Sequence, residues 1–519
     1  MKLLKSTAQV GAATITSRIL GFIRDVVFAR YFGASAETDA FFLAFKIPNF
    51  MRRLFAEGSF SLAFVPVLSE VRASGDRRAL KDLVDHVAGT LAGILLALTA
   101  VGVLAAPGVL AIFAPGWLIE GRPEFGLAAD MLRITFPYIL LISLTALAGG
   151  ILNTFARFLV PALTPVLLNV SLILAAVVFS ERMEVPVKAL AWGVLAAGIA
   201  QLAIQVPALM RLGLMPRPRW GWRHSGVRKI LKLMIPTLIG SSVAQVNLML
   251  DLVIATFLVG GSVSWLYYSD RLMEFPLGVF GVALSTVILP NLSRKFASRN
   301  PQAFSATLDW ALRLALVITL PAALGLAVLA TPILVTLFQY RAFGMDDVAM
   351  SALSLSAYAA GLPAFIAVKV LAPGFFARQD TKTPVKIAIT AMVANMVLNL
   401  VFVGSLLAID FRGPHTGLAL ASSAAAYLNA GLLYRMLRKQ EAYRPEPGWA
   451  VVIFSVVLAC LAMVAALVWQ QGDVGGWAGA DAWNRALRLC SLIGLGVVVY
   501  AVFLVTGGLR PRHLAKGAS

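Results

Sequence analysis

The clearest pattern in the sequence is a series of long apolar blocks separated by short polar connections. Four examples are Val87–Leu104, Leu159–Phe179, Ala189–Leu209 and Trp449–Trp469. Each is close to the ~20 residues that a helix needs to cross the hydrocarbon core of a bilayer. Because backbone polar groups in lipid must pair within their own segment, such blocks predict helices. We predict about fourteen transmembrane helices, at residues 8–32, 36–66, 84–112, 128–152, 159–180, 187–211, 230–259, 263–291, 306–338, 347–376, 384–409, 414–437, 449–470 and 486–507.

The connections between these helices alternate in charge. One set is acidic or neutral, and the other is basic and includes both termini. The longest basic connection lies between the sixth and seventh helices and carries Arg211, Arg217, Arg219, Arg223, Arg228 and Lys229. Short loops rich in Lys and Arg stay on the cytoplasmic side of a membrane. We therefore predict a multi-pass membrane protein with both termini in the cytoplasm.

A repeated motif divides the chain into two halves. Ile47–Glu70 and Phe275–Arg294 each place an apolar residue before Pro, then a Ser-containing apolar stretch, then Pro-x-Leu-Ser. Both copies lie in the second helix of their half and end on the cytoplasmic side, which predicts two parallel six-helix lobes around a central cavity. The predicted organisation is an N-terminal lobe at 1–212, a cytoplasmic linker at 213–229, a C-terminal lobe at 230–438, two extra helices at 449–507 and a cytoplasmic tail at 508–519.

Composition supports a membrane protein and argues against other classes. Of the 519 residues, 59% are hydrophobic and 13% are charged, whereas a soluble domain has roughly 25% charged residues. The net charge of +19 would suit a nucleic acid partner, but the basic residues lie in the connections, as membrane orientation requires. The sequence shows no phosphate-binding loop, nucleophile elbow or zinc motif, and its four histidines are scattered. We predict a transporter, not an enzyme, with no cofactor and no nucleic acid partner.

The first predicted helix carries charges that are costly in lipid. Arg18 and Asp25 lie within about 60° of each other on an ideal helix, and Arg24 projects about 120° away from Arg18. A charge at the centre of a membrane helix costs ~2.5–3.5 kcal/mol even on the mildest scale. Such residues usually face the interior of a helix bundle or a cavity that contains water, so we predict that these three do.

The second predicted helix carries a longer polar stripe. The members that share one face within about 40° are Asp39, Lys46, Arg53 and Glu57, with Asn49 nearby. Arg52 lies off this stripe, but Pro48 should kink the helix and rotate the residues that follow it. Helix geometry alone therefore leaves open whether Arg52 or Arg53 points into the cavity.

The balance of these charges suggests an anionic ligand. The eighth predicted helix adds Asp270, Arg271 and Glu274. Structural ion pairs are one interpretation, and they would join Arg18 with Asp25, Lys46 with Asp39 and Arg271 with Glu274. Such pairs do not explain why basic residues outnumber carboxylates on the first two helices. The planar guanidinium of arginine matches phosphate and carboxylate groups, so we predict that the cavity binds and moves an anion.

A second group of polar residues lies in later helices. Asp251 is in the seventh predicted helix, Asn395 and Asn399 are one turn apart in the eleventh, and Ser422 is in the twelfth. Their oxygen atoms could bind a monovalent cation that is coupled to transport. The competing interpretation is hydrogen bonding between helices, which polar residues in membranes commonly provide.

Three long segments resemble one family. They are SRILGFIRDVVFARYFGASAETDAFFLAFKIPNFMRRLFAEGSFSLAFVPVLSE, SDRLMEFPLGVFGVALSTVILPNLS and APGFFARQDTKTPVKIA. These segments, the helix count and the loop lengths strongly resemble the MurJ (MviN) family. This is the lipid II flippase family of bacterial cell-wall synthesis, within the multidrug/oligosaccharidyl-lipid/polysaccharide exporter superfamily.

The resemblance implies a function and a set of site residues. Members move the lipid-linked peptidoglycan precursor from the inner to the outer leaflet of the cytoplasmic membrane by alternating access, and their two extra helices line a groove for the lipid tail. The family's cavity arginines correspond to Arg18, Arg24, Arg52 and Arg271, which selects Arg52 where helix geometry could not. Further positions that match the motif are Asp25, Asp39, Lys46, Asn49, Arg53 and Glu57. Glu274, beside Arg271, completes the predicted binding set.

The expected partners are lipid II, membrane lipids and cell-wall synthesis proteins. The membrane potential or a monovalent cation is the expected source of energy. Three alternatives remain open at this point: a flippase for another lipid-pyrophosphate-linked glycan, a multidrug exporter of the same superfamily, and a scaffold for cell-wall enzymes. The positive charge of the predicted cavity disfavours the multidrug exporter, because exporters of organic cations favour acidic or aromatic cavities.

Overall fold

The computed structural model describes residues 2–52 and 60–509, with side chains for all of them except 2–8, 236–244, 248, 282 and 474. Within this part of the chain every regular element is helical, which confirms the predicted all-α fold class. The elements of the first half are α1 (Lys2–Phe32), α2 (Ala36–Arg52), α3 (Ser61–Ala73), α4 (Arg77–Leu104), α5 (Ala106–Phe113), α6 (Pro115–Ile119), α7 (Pro123–Thr135), α8 (Tyr138–Thr154), α9 (Leu159–Leu174), α10 (Lys188–Ala203), α11 (Val206–Leu212) and α12 (Ser225–Ala255).

The second half continues with ten more helices, several of which begin at residues with ordinary capping chemistry. They are α13 (Ser262–Pro276), α14 (Val282–Ala297), α15 (Pro301–Val328), α16 (Ala330–Leu337), α17 (Met345–Phe376), α18 (Lys382–Ala408), α19 (Thr416–Lys439), α20 (Trp449–Gln471), α21 (Val474–Ala478) and α22 (Ala482–Thr506). The start of α15 is an example of such capping. Asn300 accepts a hydrogen bond from Ala303 N at 3.0 Å, and Pro301 occupies the first helical position, where its missing N–H costs nothing.

Eleven helical segments of the described chain are long and apolar enough to cross a membrane. They correspond to eleven of the predicted spans and establish a multi-pass membrane protein. The predicted first, second and seventh spans correspond to α1, to α2 with α3, and to α12. The first two carry more charge than an ordinary membrane segment, and the third includes side chains outside the described set. The total of fourteen spans therefore stays a prediction.

The chain forms two compact units, Met1–Ser264 and Trp265–Ser519. In the first unit, α1 packs on α9, α2 on α7, and α12 on α3 and α4. A buried apolar core that includes Phe64, Val84 and Ile151 joins α3, α4 and α8. The predicted lobes at 1–212 and 230–438 stay predictions.

The predicted linker contains a non-helical segment, residues 213–224, that lies along α4; we call it the strap. Arg217 N donates to Asp85 Oδ1 at 2.7 Å and Arg219 N donates to Asp85 O at 3.0 Å. The strap touches α4 so closely that a Cβ added at Gly89 would lie 2.2 Å from Arg219 O. Gly93, one turn later, has the same role for Trp220, because an added Cβ would lie 2.7 Å from the Trp220 ring. The glycines of α4 therefore form the seat on which the strap lies.

In the second unit, α17 packs between α15 and α19, while α20 and α22 pack on each other and on α15. Val317, Val452 and Val456 are among the buried residues that join the two last long helices to α15. Asp309 of α15 fixes the connection before α20. Its Oδ1 accepts hydrogen bonds from Tyr443 Oη at 2.8 Å and from Trp449 Nε1 at 2.7 Å. The pKa of Tyr443 is raised above its ordinary value. Burial is the main cause, and the hydrogen bond to Asp309 is the second.

Candidate functional site

The two arginines of α1 have different surroundings. Arg18 is exposed and makes no hydrogen bond or ion pair with the described residues. Arg24 is only 6% exposed. Its Nε and Nη2 donate to Asp25 Oδ1 at 3.0 and 2.6 Å, and its Nη1 donates to Asn169 Oδ1 at 3.0 Å. Arg24 is thus held between α1 and α9, whereas Arg18 is open to a ligand.

Asn169 is a partner of Arg24 that the sequence did not reveal. Its Nδ2 donates to Ser17 O at 3.0 Å, so one side chain binds both the backbone of α1 and the Arg24 guanidinium. The two helices also meet at Gly21, where an added Cβ would make ordinary van der Waals contact with Asn169 at 3.6 Å. The available signal was an amide side chain within the otherwise largely apolar block Leu159–Phe179.

Asp39 of α2 binds the first turn of α13. The side chain is 2% exposed and accepts hydrogen bonds from Gly261 N and Ser264 N, both at 2.7 Å, and from the Ser264 hydroxyl. A carboxylate near a helix N-terminus satisfies backbone donors that have no partner within the helix and interacts favourably with the helix dipole. The ion-pair interpretation, which joined Asp39 to Lys46, is therefore wrong for this carboxylate. In this conformation the Asp39 carboxylate serves the fold, although its place in the binding set stays a prediction.

The lower part of α2 contains the residue pair that helix geometry could not resolve. Arg52 is half-buried, and its Nε and Nη2 donate to Asn49 Oδ1 at 2.9 and 2.7 Å. Asn49 therefore orients the guanidinium from one turn earlier on the same helix. Lys46 is also half-buried. Arg53 and Glu57 were predicted in the same set and lie outside the described residues.

Arg271 of α13 has the predicted partner. Its Nη1 donates to Glu274 Oε2 at 2.8 Å, and its guanidinium lies 5.6 Å from the centre of the Tyr267 ring. Both charged side chains are partly exposed, at 34% and 48%, so solvent screens the pair and it adds little stability. The Arg271–Glu274 pair of the ion-pair interpretation is therefore present. Its Arg18–Asp25 pair is not, because Asp25 binds Arg24.

The predicted cation ligands are divided between the two units. Asn395 and Asn399 are buried one turn apart on α18, and Ser422 is half-buried on α19 in the same unit. Asp251 lies on α12 and belongs to the first unit. Ser423 Oγ, beside Ser422, donates to Ala357 O at 2.7 Å, as the hydrogen-bonding interpretation expects for this part of α19. The cation site stays a prediction.

A multi-helix membrane fold with arginines on its first helices defines a polytopic membrane protein. Similar folds are seen in solved structures of transporters. An inward-facing multidrug resistance MATE family transporter of the MOP superfamily has a TM-score of 0.63 and 15% identity, over 82% of this chain and 94% of that one. At this identity the likeness shows the fold alone.

The sequence defines the family. The family model described as Lipid II flippase MurJ matches residues 28–476. A probable lipid II flippase MurJ from Vibrio cholerae is 47% identical over 519 residues, 99% of this chain and 98% of that protein. The lipid II flippase MurJ of Burkholderia cenocepacia is 44% identical and covers 100% of both chains. This chain belongs to the lipid II flippase MurJ family.

A solved structure agrees with this assignment. A lipid II flippase MurJ in an inward closed conformation is similar to this chain with a TM-score of 0.78 and 28% identity, over 95% of this chain and 97% of that one. The sequence resemblance predicted from the three long segments is thereby confirmed.

Proposed function

We propose that this protein is a lipid II flippase, which moves the lipid-linked peptidoglycan precursor across the membrane for cell-wall synthesis. The observation that carries the proposal is full-length similarity to lipid II flippases at 44–47% identity. Such similarity favours a transporter over an enzyme. It also favours lipid II over the other substrates considered, since the multidrug transporters share only the fold with this chain.

Charge and exposure assign roles to the arginines. Arg18 and Arg52 bind the anionic pyrophosphate of the substrate, because Arg18 is exposed and Arg52 is half-buried with its guanidinium oriented by Asn49. Arg24 is buried against Asp25 and Asn169, so in this conformation it positions α1. Arg271 presents a partly exposed guanidinium in the second unit. Its pairing with Glu274 gives way to the stronger bidentate binding of a phosphate group.

The proposed membrane is the bacterial cytoplasmic membrane, with the basic connections and both termini in the cytoplasm. An electrical potential that is negative inside favours outward movement of negative charge by ~2.3 kcal/mol per charge per 100 mV. This supplies a direction for the substrate without ATP. A monovalent cation bound near Asn395, Asn399 and Ser422 is the alternative source of energy.

The test is complementation in cells depleted of their own flippase, with lipid II on the outer leaflet measured by an enzyme added outside the cell. Cells that rely on the wild-type chain should expose lipid II, whereas Arg18→Ala and Arg52→Ala should reduce exposure more than tenfold at equal membrane abundance. Arg412→Ala is the matched control, because Arg412 is an exposed arginine paired only with Asp346. Normal exposure of lipid II in both cavity variants would refute the proposed anion site. No exposure by the wild-type chain would refute the proposed function.

A further inference from the structure

Three side chains that the transport function does not use converge beside the strap. Asp82 and His86 are one turn apart on α4, and residues with this spacing face the same side of a helix. His224 is the last residue of the strap and the N-cap of α12. The His86 and His224 rings stack with centres 4.8 Å apart and planes 18° apart. The sequence scatters the histidines, but the fold brings two of the four together.

The two imidazoles approach opposite oxygens of one carboxylate. His86 Nδ1 lies 2.9 Å from the backbone oxygen of Asp82 and 3.3 Å from Asp82 Oδ1, and His224 Nε2 lies 3.2 Å from Asp82 Oδ2. Each of the three residues offers one possible ligand atom, and these three atoms lie within 4.8 Å of one another. Tetrahedral zinc with bonds of ~2.0–2.2 Å separates its ligand atoms by roughly 3.3–3.5 Å. Each imidazole nitrogen is close to this distance from its own carboxylate oxygen, so binding of one metal requires the rings and the carboxylate to move closer together.

The surrounding backbone holds the third ligand in place. The strap is bound to α4 through Asp85, and Gly221 N donates to Thr90 Oγ1 at 3.0 Å. A Cβ added at Gly221 would lie 2.6 Å from His86, so the strap runs directly against the imidazole. His224 Nδ1 accepts a hydrogen bond from Gly226 N at 3.1 Å, which fixes the ring at the start of α12. The fold therefore brings the three side chains together without a metal.

We propose that Asp82, His86 and His224 form a binding site for a divalent transition metal of the zinc class. Two imidazole nitrogens and a carboxylate oxygen are the donor set that such ions favour, and water completes the coordination. The metal joins α4 to the strap and to the start of α12, so it fastens the strap to its seat. Its role is structural and separate from the proposed transport site.

Metal binding here competes with a proton and a guanidinium. Since His224 Nδ1 accepts the bond from Gly226 N, its Nε2 carries the proton that faces Asp82 Oδ2. The metal displaces this proton from Nε2 to Nδ1, so that the imidazole stays neutral, and the protonated Nδ1 no longer accepts the bond from Gly226 N. Arg219 Nη1 lies 4.0 Å from Asp82 Oδ1, but its side chain is 62% exposed and can turn into water. The other nearby carboxylate, Asp85, is already paired with Lys81.

The test uses the full chain, purified with a tag that contains no histidine and placed in lipid nanodiscs. After equilibration with Zn²⁺ and dialysis, metal content is measured by mass spectrometry. Binding of Co²⁺ is followed through its visible absorption, which is strong for tetrahedral nitrogen and oxygen ligands. We expect one Zn²⁺ per wild-type chain and at least a tenfold loss of affinity in His86→Gln and in His224→Gln. His513→Gln is the control for adventitious histidine binding and should match the wild type.

A second measurement separates loss of the site from loss of the fold. For each variant, the apparent melting temperature is measured with and without Zn²⁺, so that each protein is its own reference. Zn²⁺ should raise the melting temperature of the wild type and of His513→Gln, and leave His86→Gln and His224→Gln unchanged. Stoichiometric binding that persists in the His86→Gln/His224→Gln double variant would overturn the proposal. Retention of no Zn²⁺ by the wild-type chain would overturn it as well.

Discussion

The bond between α2 and the start of α13 gives the most direct test of how the first unit is held together. Replacement of Asp39 by Ala removes a carboxylate that is 2% exposed and leaves Gly261 N and Ser264 N without their acceptor. Each buried donor that loses its partner costs about 1–3 kcal/mol. Some of this loss is offset because the variant no longer has to bury a charge. We therefore expect Asp39→Ala to lower the free energy of unfolding by about 2–4 kcal/mol.

Two further variants divide this energy among the contacts. Asp39→Asn keeps one oxygen that can accept a hydrogen bond, so its loss should be about 1–2 kcal/mol. Ser264→Ala removes only the hydroxyl donor and leaves the backbone bond from Ser264 N to Asp39. Its loss should be about 0.5–1.5 kcal/mol. The double variant Asp39→Ala/Ser264→Ala should lose less than the sum of the single changes, since both residues take part in one interaction.

The assay is reversible unfolding in mixed micelles with increasing SDS, followed by tryptophan fluorescence and circular dichroism. Glu37→Ala is the matched control, because Glu37 is an exposed acidic residue in the same turn of α2. It should change the free energy of unfolding by less than 0.5 kcal/mol, as is usual for surface substitutions. If Asp39→Ala were as stable as Glu37→Ala, or if the double variant showed strict additivity, the proposed bond to α13 would be refuted.

Three other contacts lead to predictions of the same kind. Gly89→Ala should displace the strap, because the added Cβ would lie 2.2 Å from the backbone of Arg219. Trypsin should then cleave the strap several times faster than in the wild type. Gly108→Ala is the control, because Gly108 has open space around it, and this variant should match the wild type. Asp309→Ala should lower the free energy of unfolding by about 3–5 kcal/mol, because it removes the buried carboxylate that pairs with the Arg313 guanidinium. A variant as stable as the wild type in SDS titration would contradict this. Asn169→Ala should reduce the thermal stability of the protein and slow its growth complementation at equal abundance, since it unties the buried arginine of α1; unchanged melting and growth would count against that role.

Sequence reasoning succeeded where the controlling physics is local or depends on solvent. Apolar blocks longer than a bilayer is thick must be helices, and eleven predicted spans have matching helices. The Arg271–Glu274 pair is also local, since residues three apart on a helix are neighbours. The excess of arginine on the first two helices predicts the sign of the ligand charge from equally local information, and this stays a prediction. It depends on which residues share a helix, and needs no knowledge of what packs beside them.

Partners from distant parts of the chain could not be predicted in this way. Helical periodicity placed Asp39 with Lys46. The carboxylate oxygens of Asp39 instead accept hydrogen bonds from Gly261 and Ser264, which lie 222 and 225 positions later. Periodicity likewise placed Asp25 with Arg18, although Arg24 binds it and is itself held by Asn169, 145 positions away. A buried charge takes the nearest partner that tertiary packing supplies. One helix considered alone therefore gives the wrong pair.

The histidines show what local spacing reveals and what only tertiary packing supplies. Asp82 and His86 have a spacing that the sequence displays, yet two ligands on one helix are too few to indicate a metal. The third, His224, lies 142 positions from Asp82 and reaches it only because the strap runs along α4. The strap follows that path because Gly89 and Gly93 lack side chains and Asp85 accepts hydrogen bonds from its backbone. The metal site and the seat of the strap therefore depend on each other, and Gly89→Ala should weaken Zn²⁺ binding although no ligand has changed.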